Sequence, residues 1–229
     1  MRSVSSNRMI PLSRHGIFEI LFGTLALFTL GALLSWLFIP LGVLILPFWI
    51  WLIAFFRDPN RPNHPDPSVL IAPADGTVTD ITPIDFHPLL KCPAVSVGIF
   101  LSVFNVHVNR APCRCRVVQI DYRKGKFLDA RNTARVSAEN ESNDVLLQNL
   151  DHGGQLVIRQ ITGLIARRIV FTPVVGQELT RGERVGLIKF GSRTELIIPA
   201  AMNAEILVKP GQKVAGCVTE IARISANMQ

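Results

Sequence analysis

Tyrosine occurs once in this chain of 229 residues and cysteine only four times, and each scarcity excludes something. With one Tyr, scattered basic residues and no recognition module, a nucleic-acid partner is not expected, although the net charge is +7. Cys92, Cys113, Cys115 and Cys217 make no zinc-ligand spacing, and Cys113 and Cys115 are too close for an easy mutual disulfide. They read as reduced thiols of a cytoplasmic domain, and no metal is expected. A phosphate-binding loop, a dinucleotide fingerprint and a serine-hydrolase elbow are all missing. Charge is scarcest in residues 17–39, IFEILFGTLALFTLGALLSWLFI, where Glu19 is the sole ionised side chain.

That apolar run is long enough to cross a bilayer, which takes about 20 residues of helix. A second run, residues 41–56, is shorter in effect because Pro47 interrupts it. Two arrangements are open: a helical hairpin turning near residues 40–42, or one span followed by a segment lying at the interface. Arg2, Arg8 and Arg14 precede the block, and Arg57 and Arg61 follow it. The positive-inside rule puts both ends on the cytoplasmic side, which requires a hairpin or a re-entrant loop. The stretch is too long for a cleaved signal peptide, and no small-residue cleavage site follows it. Residues 1–56 are therefore expected to anchor the chain in the cell (inner) membrane, with the excess positive charge attracted to anionic headgroups.

Residues 57–68 are rich in proline and read as an extended connector. From residue 69 the pattern changes to short β-rich runs between Gly and Pro turns, at 68–72, 76–81, 94–100, 115–122, 155–161, 169–174, 184–188 and 195–198. This spacing predicts a mainly β (α+β) domain over residues 69–229, a compact β-sandwich or barrel-sandwich. Residues 127–143 are polar and read as a loop over one face. Residues 172–182 and 204–216 share a Gly-turn pattern seen in hairpins of biotin- and lipoate-carrying domains, but no lysine sits at a hairpin tip to carry the group.

Three short segments hold the candidate chemistry. Asp75 lies in Pro73-Ala-Asp-Gly76, where an aspartate also serves simply as a turn residue. His107 lies in Phe104-Asn-Val-His-Val-Asn-Arg-Ala-Pro112, and strict alternation there would align Asn105, His107 and Asn109 on one polar face. Gly191-Ser192 sits between two apolar runs, where a strained turn would let the hydroxyl attack the preceding carbonyl.

Taken in order, these segments resemble the phosphatidylserine decarboxylase proenzymes of the short bacterial type. The matching stretches are Phe55-Phe-Arg-Asp-Pro59, Ala72-Pro-Ala-Asp-Gly-Thr-Val78, residues 104–112, Tyr122-Arg-Lys-Gly-Lys-Phe127, Glu139-Asn-Glu141, residues 160–168 and Phe190-Gly-Ser-Arg193. The resemblance implies a membrane-bound carboxy-lyase that makes its own cofactor, a pyruvoyl group derived from Ser192. Cleavage between Gly191 and Ser192 would leave a β chain, 1–191, and an α chain, 192–229, associated as a heterodimer; a higher oligomer is compatible with this. The pyruvoyl ketone would form a Schiff base with the headgroup of phosphatidylserine, release carbon dioxide and yield phosphatidylethanolamine. Gly191 and Ser192 would be the cleavage site, His107 a proton-transfer residue, and Asp75 its support or an aid to processing. Long relatives carry a second histidine where this chain has Arg110, and a threonine where it has Arg193. A decarboxylase of another serine-headgroup lipid, or a membrane-tethered adaptor with no catalysis, are the competing readings.

Overall fold

The computed structural model describes residues 12–13, 16–37, 42–62, 64–130, 133–164, 168–189 and 192–225. The chain divides into two compact units, Met1–Asn60 and Arg61–Gln229.

In the first unit, α1 (Ile17–Leu37) and α2 (Ile45–Phe55) run antiparallel. Gly31 packs near Ile45 and Gly23 near Leu52, and Trp49 donates to Thr24 Oγ1 at 3.2 Å while lying edge-on to Phe28. Pro47 is tolerated because it stands in the first turn of α2, where its missing N–H would have no helical partner. Residues Ile17–Trp36 form one helix long and apolar enough to cross a membrane. The 11 residues of α2 rise only about 16 Å, roughly half of a hydrocarbon core. The two helices thus pack as an antiparallel pair of unequal length.

The second unit is almost entirely β. An eight-stranded antiparallel sheet runs in the order β13-β2-β3-β11-β7-β6-β5-β9. Its members are β2 (Gly76–His87), β3 (Cys92–Leu101), β5 (Cys115–Arg123), β6 (Ser142–Asn149), β7 (Gln155–Ile161), β9 (Glu178–Leu179), β11 (Ser192–Pro199) and β13 (Lys213–Val214). A three-stranded sheet, β4-β10-β8, joins β4 (Val108–Arg110), β10 (Arg184–Ile188) and β8 (Ile169–Phe171). Another, β1-β14-β12, joins β1 (Val69–Ile71), β14 (Glu220–Ile224) and β12 (Ala204–Ile206). The predicted mainly β sandwich is the architecture found. Between the sheets lies one aliphatic core that includes Leu70, Val97, Ile99, Leu147, Ile158, Val185, Leu196 and Ile198.

Two expectations need correction. The polar stretch 127–143 is not one loop: it forms α3 (Thr133–Glu139) and then enters β6. The row from residue 102 to 112 is not one strand either, because β4 covers only Val108–Arg110. Asn105 Oδ1 accepts from both the backbone N–H and the hydroxyl of Ser102, at 2.9 and 2.7 Å. This local bonding satisfies the backbone as a turn and competes with the ladder.

One topological feature positions everything that follows. In the large sheet β3, β11 and β7 are neighbours in that order, and in the small sheet β4, β10 and β8 are neighbours in the matching order. The chain joins them pairwise, β3 to β4, β10 to β11 and β7 to β8. The two sheets are therefore joined three times in the same strand order, and in the sequence Gly191-Ser192 closes the middle connection.

Candidate active site

β11 is central, hydrogen-bonded to β3 over Ser192–Pro199 and to β7 over Arg193–Ile197. All eight of its residues are buried. Alternation along a strand sends successive side chains to opposite faces, so Ser192, Thr194, Leu196 and Ile198 share the core face. Phe190 and Gly191 lie outside the described residues.

Ser192 is fully buried, and its Oγ has no hydrogen-bond partner among the described residues. A buried polar atom left so costs about 1–3 kcal/mol, so the fold holds this hydroxyl in an unfavourable setting. Ser96 is also a buried serine without a partner among the described residues, but it stands in mid-strand with no glycine before it. Below Ser192 the inward rows of four strands end in polar residues. Asn109 Nδ2 donates to Thr194 Oγ1 at 3.0 Å, Gln160 Nε2 donates to Asn109 Oδ1 at 2.8 Å, and Asn143 Nδ2 donates to Gln160 Oε1 at 3.1 Å. This buried row carries no formal charge, and it satisfies itself rather than Ser192.

His107 closes the connector that leaves β3 at Leu101, the residue paired with Ser192. The ring is buried, and its Nδ1 lies 3.0 Å from the Asn105 carbonyl oxygen. A carbonyl only accepts, so Nδ1 carries the proton and Nε2 is the basic nitrogen of the neutral ring. Asp75 is nearby through the backbone, since the Arg110 N–H donates to the Pro73 carbonyl at 2.8 Å. Its carboxylate, however, goes to Arg61 in a fork of 2.6 and 2.7 Å and accepts the Gly216 N–H at 2.8 Å. Among the described residues the Asp75 carboxylate thus bonds Arg61 and the Gly216 N–H. A guanidinium fork offers two charge-assisted bonds where an imidazole offers one. Arg110, in the place of the second histidine, is buried and donates to the Gly182 carbonyl at 3.0 Å.

On the outer face of β11 the chemistry is ionic. The Arg193 guanidinium, 1% exposed, bonds Glu195 at 2.8 Å, Thr79 at 2.5 Å and Asp80 at 2.8 Å. Adjacent strand residues such as Thr79 and Asp80 would ordinarily face opposite ways. The register shift between Val78 and Asp80 lets both reach the same group. Gly98 clears the space, for any side-chain carbon there would collide with the guanidinium. Glu195 also accepts from Ser137 on α3 and lies 3.6 Å from Arg159, which forks onto Asp144 at 2.6 Å for each oxygen. Burial alone would raise the Asp80 carboxyl, but bonds from Arg193 and Thr79 outweigh it and hold it below the usual range. Burial likewise opposes the charge on Arg193, and Asp80 and Glu195 overcome it, raising its pKa. Arg193 thus stands on the face of β11 opposite Ser192, where it holds the strand to β2.

The amide row and the ionic row were not anticipated, yet the first left a trace in the sequence. Asn143-x-Val-x-Leu147, Leu156-x-Ile-x-Gln160 and Thr194-x-Leu-x-Ile198 each become polar at one end of an aliphatic row. Cys113, joined to Cys115 by a hydrogen bond and buried, has its thiol pushed well up and is inert.

A family model described as phosphatidylserine decarboxylase matches residues 48–220. A phosphatidylserine decarboxylase proenzyme of Rhodopirellula baltica is 43% identical over 218 residues, 93% of this chain and 88% of that protein. One from Carboxydothermus hydrogenoformans is 43% identical over 85% of this chain and 88% of its own length. One from Magnetococcus marinus is 44% identical, covering 83% and 85%.

Proposed function

This chain belongs to the phosphatidylserine decarboxylase proenzyme family, and from that premise we propose that it cleaves itself between Gly191 and Ser192 and decarboxylates phosphatidylserine to phosphatidylethanolamine. The observation that carries the reading is the Ser192 hydroxyl, fully buried and without a partner among the described residues.

In this reading His107 Nε2 takes the proton of Ser192 Oγ, and the oxygen attacks the Gly191 carbonyl carbon. The C–N bond breaks, the proton passes to the amine, and an ester replaces the amide. Removal of the Ser192 α-proton expels the Gly191 carboxylate, and hydrolysis of the remaining enamine releases ammonia and leaves a ketone on the new α-chain terminus. That pyruvoyl group supplies an electrophilic carbonyl for the headgroup amine and an electron sink when carbon dioxide leaves. The site suits it, being walled by the neutral chain of Thr194, Asn109, Gln160 and Asn143. The other residues bind and exclude water. Both strands flanking β11 belong to the β chain, so after cleavage the α chain stays seated between β3 and β7 and the heterodimer needs no further tether. Asp75, held by Arg61, fixes the turn beside β4 and aids processing by geometry. α1 anchors the chain in the cell membrane, and the flanking arginines place the catalytic unit on the cytoplasmic side, where phosphatidylserine and the anionic surface are the partners.

Intact mass and N-terminal analysis of the purified protein test the reading. Two fragments meeting at 191/192, the smaller blocked to Edman degradation, are expected. A single 25.3 kDa chain with unmodified Ser192 after long incubation in membranes would overturn it.

A further inference from the structure

The buried amide row has a direction. Asn143 Nδ2 donates to Gln160 Oε1, Gln160 Nε2 to Asn109 Oδ1, and Asn109 Nδ2 to Thr194 Oγ1. Each of the three bonds runs toward β11. Thr194 is fully buried, and its hydroxyl accepts from Asn109 while donating to nothing among the described residues. A hydroxyl has one proton to give, so the row ends in an unspent donor. Thr162, equally buried, spends its own on the Glu141 carbonyl at 3.1 Å. Bonds that all point one way polarise one another, which strengthens the donor at the end.

Thr194 lies two residues beyond Ser192 on the same face of β11. A strand rises about 3.3 Å per residue, so the two side chains are rooted roughly 7 Å apart. Neither hydroxyl bonds the other. Two buried polar groups thus stand side by side with hydrogen-bonding capacity left over. A buried donor left unpaired costs free energy, and valine would fill nearly the same volume without that cost.

We propose that the Thr194 hydroxyl is a substrate-binding donor that holds the carboxylate of the serine headgroup, with Asn109, Gln160 and Asn143 positioning it. This role rests on the decarboxylase reading and names the headgroup atoms that the same site holds. In phosphatidylserine the amine and the carboxylate share one carbon. With the amine at residue 192, the carboxylate falls in the gap between the two side chains. In the cleaved enzyme the chain ends at residue 192, so a headgroup meets this face at the end of the strand. The neutrality of the row suits the reaction. A cation would stabilise the carboxylate in the ground state and oppose its loss as carbon dioxide, whereas one neutral hydroxyl orients it and gives up little when it leaves. The same contact separates substrate from product, since phosphatidylethanolamine has no carboxylate to offer.

Calorimetry on the full chain in detergent micelles tests this without turnover. The probes are two dihexanoyl lipids. Phosphatidyl-3-hydroxypropionate is the substrate headgroup without its amine, and phosphatidyl-n-propanol has a methyl group in place of that carboxylate. Neither can condense with a carbonyl at residue 192. Wild type, shown by intact mass to be cut at 191/192, is expected to favour the carboxylate probe. Thr194→Val should reduce the ratio of the two affinities by about tenfold, the worth of one hydrogen bond to a charged group. Thr194→Ala should lose the preference as well, and Thr194→Ser should keep it. A cut wild-type enzyme without the preference, or a Thr194→Val enzyme that retains it, overturns the proposal and leaves self-cleavage standing. An uncut wild-type chain overturns the decarboxylase reading and this role with it. Thr194→Val should also raise the KM for phosphatidylserine while inhibition by phosphatidylethanolamine stays unchanged. Equal weakening toward both lipids would mark Thr194 as structural only.

Discussion

The two faces of β11 are a few ångströms apart and have opposite chemistry. Toward the core, Thr194 accepts from the neutral Asn109, and the serine oxygen bonds nothing among the described residues. Toward the outside, Arg193 and Glu195 are locked into a chain of charges running from Asp80 to Asp144. The contrast separates two tasks that one face could not perform. Under the proposed self-cleavage, a hydroxyl that attacks cannot be tied up, while a strand whose end is cut must be held by something other than the bond that breaks.

Removing the reactive side of this comparison should have the largest effect. Ser192→Ala is expected to leave one uncut chain on a denaturing gel and no measurable decarboxylation, with the fold intact by circular dichroism. Next, His107→Gln keeps a side chain of similar reach but loses the basic nitrogen. Self-cleavage, followed by densitometry, should slow by about 10²–10⁴-fold, the usual worth of a positioned general base. Unchanged cleavage kinetics would remove His107 from that role.

Breaking the holding side should cost stability instead. Arg193→Met leaves Asp80 and Glu195 without their shared cation, and removing one member of a buried ion network costs about 3–5 kcal/mol. Denaturant unfolding of the variant in a Ser192→Ala background reads this directly, free of any change in cleavage. Gln160→Leu strips both Asn109 and Asn143 of a partner and should cost about 1–3 kcal/mol.

The smallest expected effect is a pH dependence. Burial first, and then the positive charge of Arg159, push His87 below its ordinary value. The folded state then binds fewer protons than the unfolded state just below the unfolded value of about 6.5. This contribution to stability is complete above that pH and is lost as pH falls from there through the lower folded value. His87→Phe should flatten that limb of the stability curve, and an unaltered slope would remove His87 as its source.

Much of the fold was legible because burial leaves a periodic record. β7 and β10 begin and end where the alternation predicted, and β11 was recognised from its aliphatic centre but not from its start. Its first residues, Ser192 to Thr194, are polar, and nothing local marks a polar residue as strand when its partners are distant in sequence. β6 was not recognised, and its polar first residues, Ser142 and Asn143, fell in the stretch read as loop. Asp75 shows the limit most plainly: its neighbours in sequence gave no sign of Arg61, 14 residues away, as its partner. The expectation linked Asp75 to His107 because nothing local marks a guanidinium from the connector as its partner.

The sequence alone determined the apolar N-terminal block, the β character of the rest and the order of motifs around Gly191-Ser192, since hydropathy, periodicity and spacing are properties of a linear chain. Only the tertiary structure decided that Ser192 and Arg193, adjacent in the chain, face a neutral core and an ionic clamp. That decision depends on which strands flank β11 and on the bulge that turns both Thr79 and Asp80 toward one guanidinium. The bonds from Arg193 to Thr79 and Asp80 join residues more than a hundred positions apart, and their energies exist only once the sheet has closed around them.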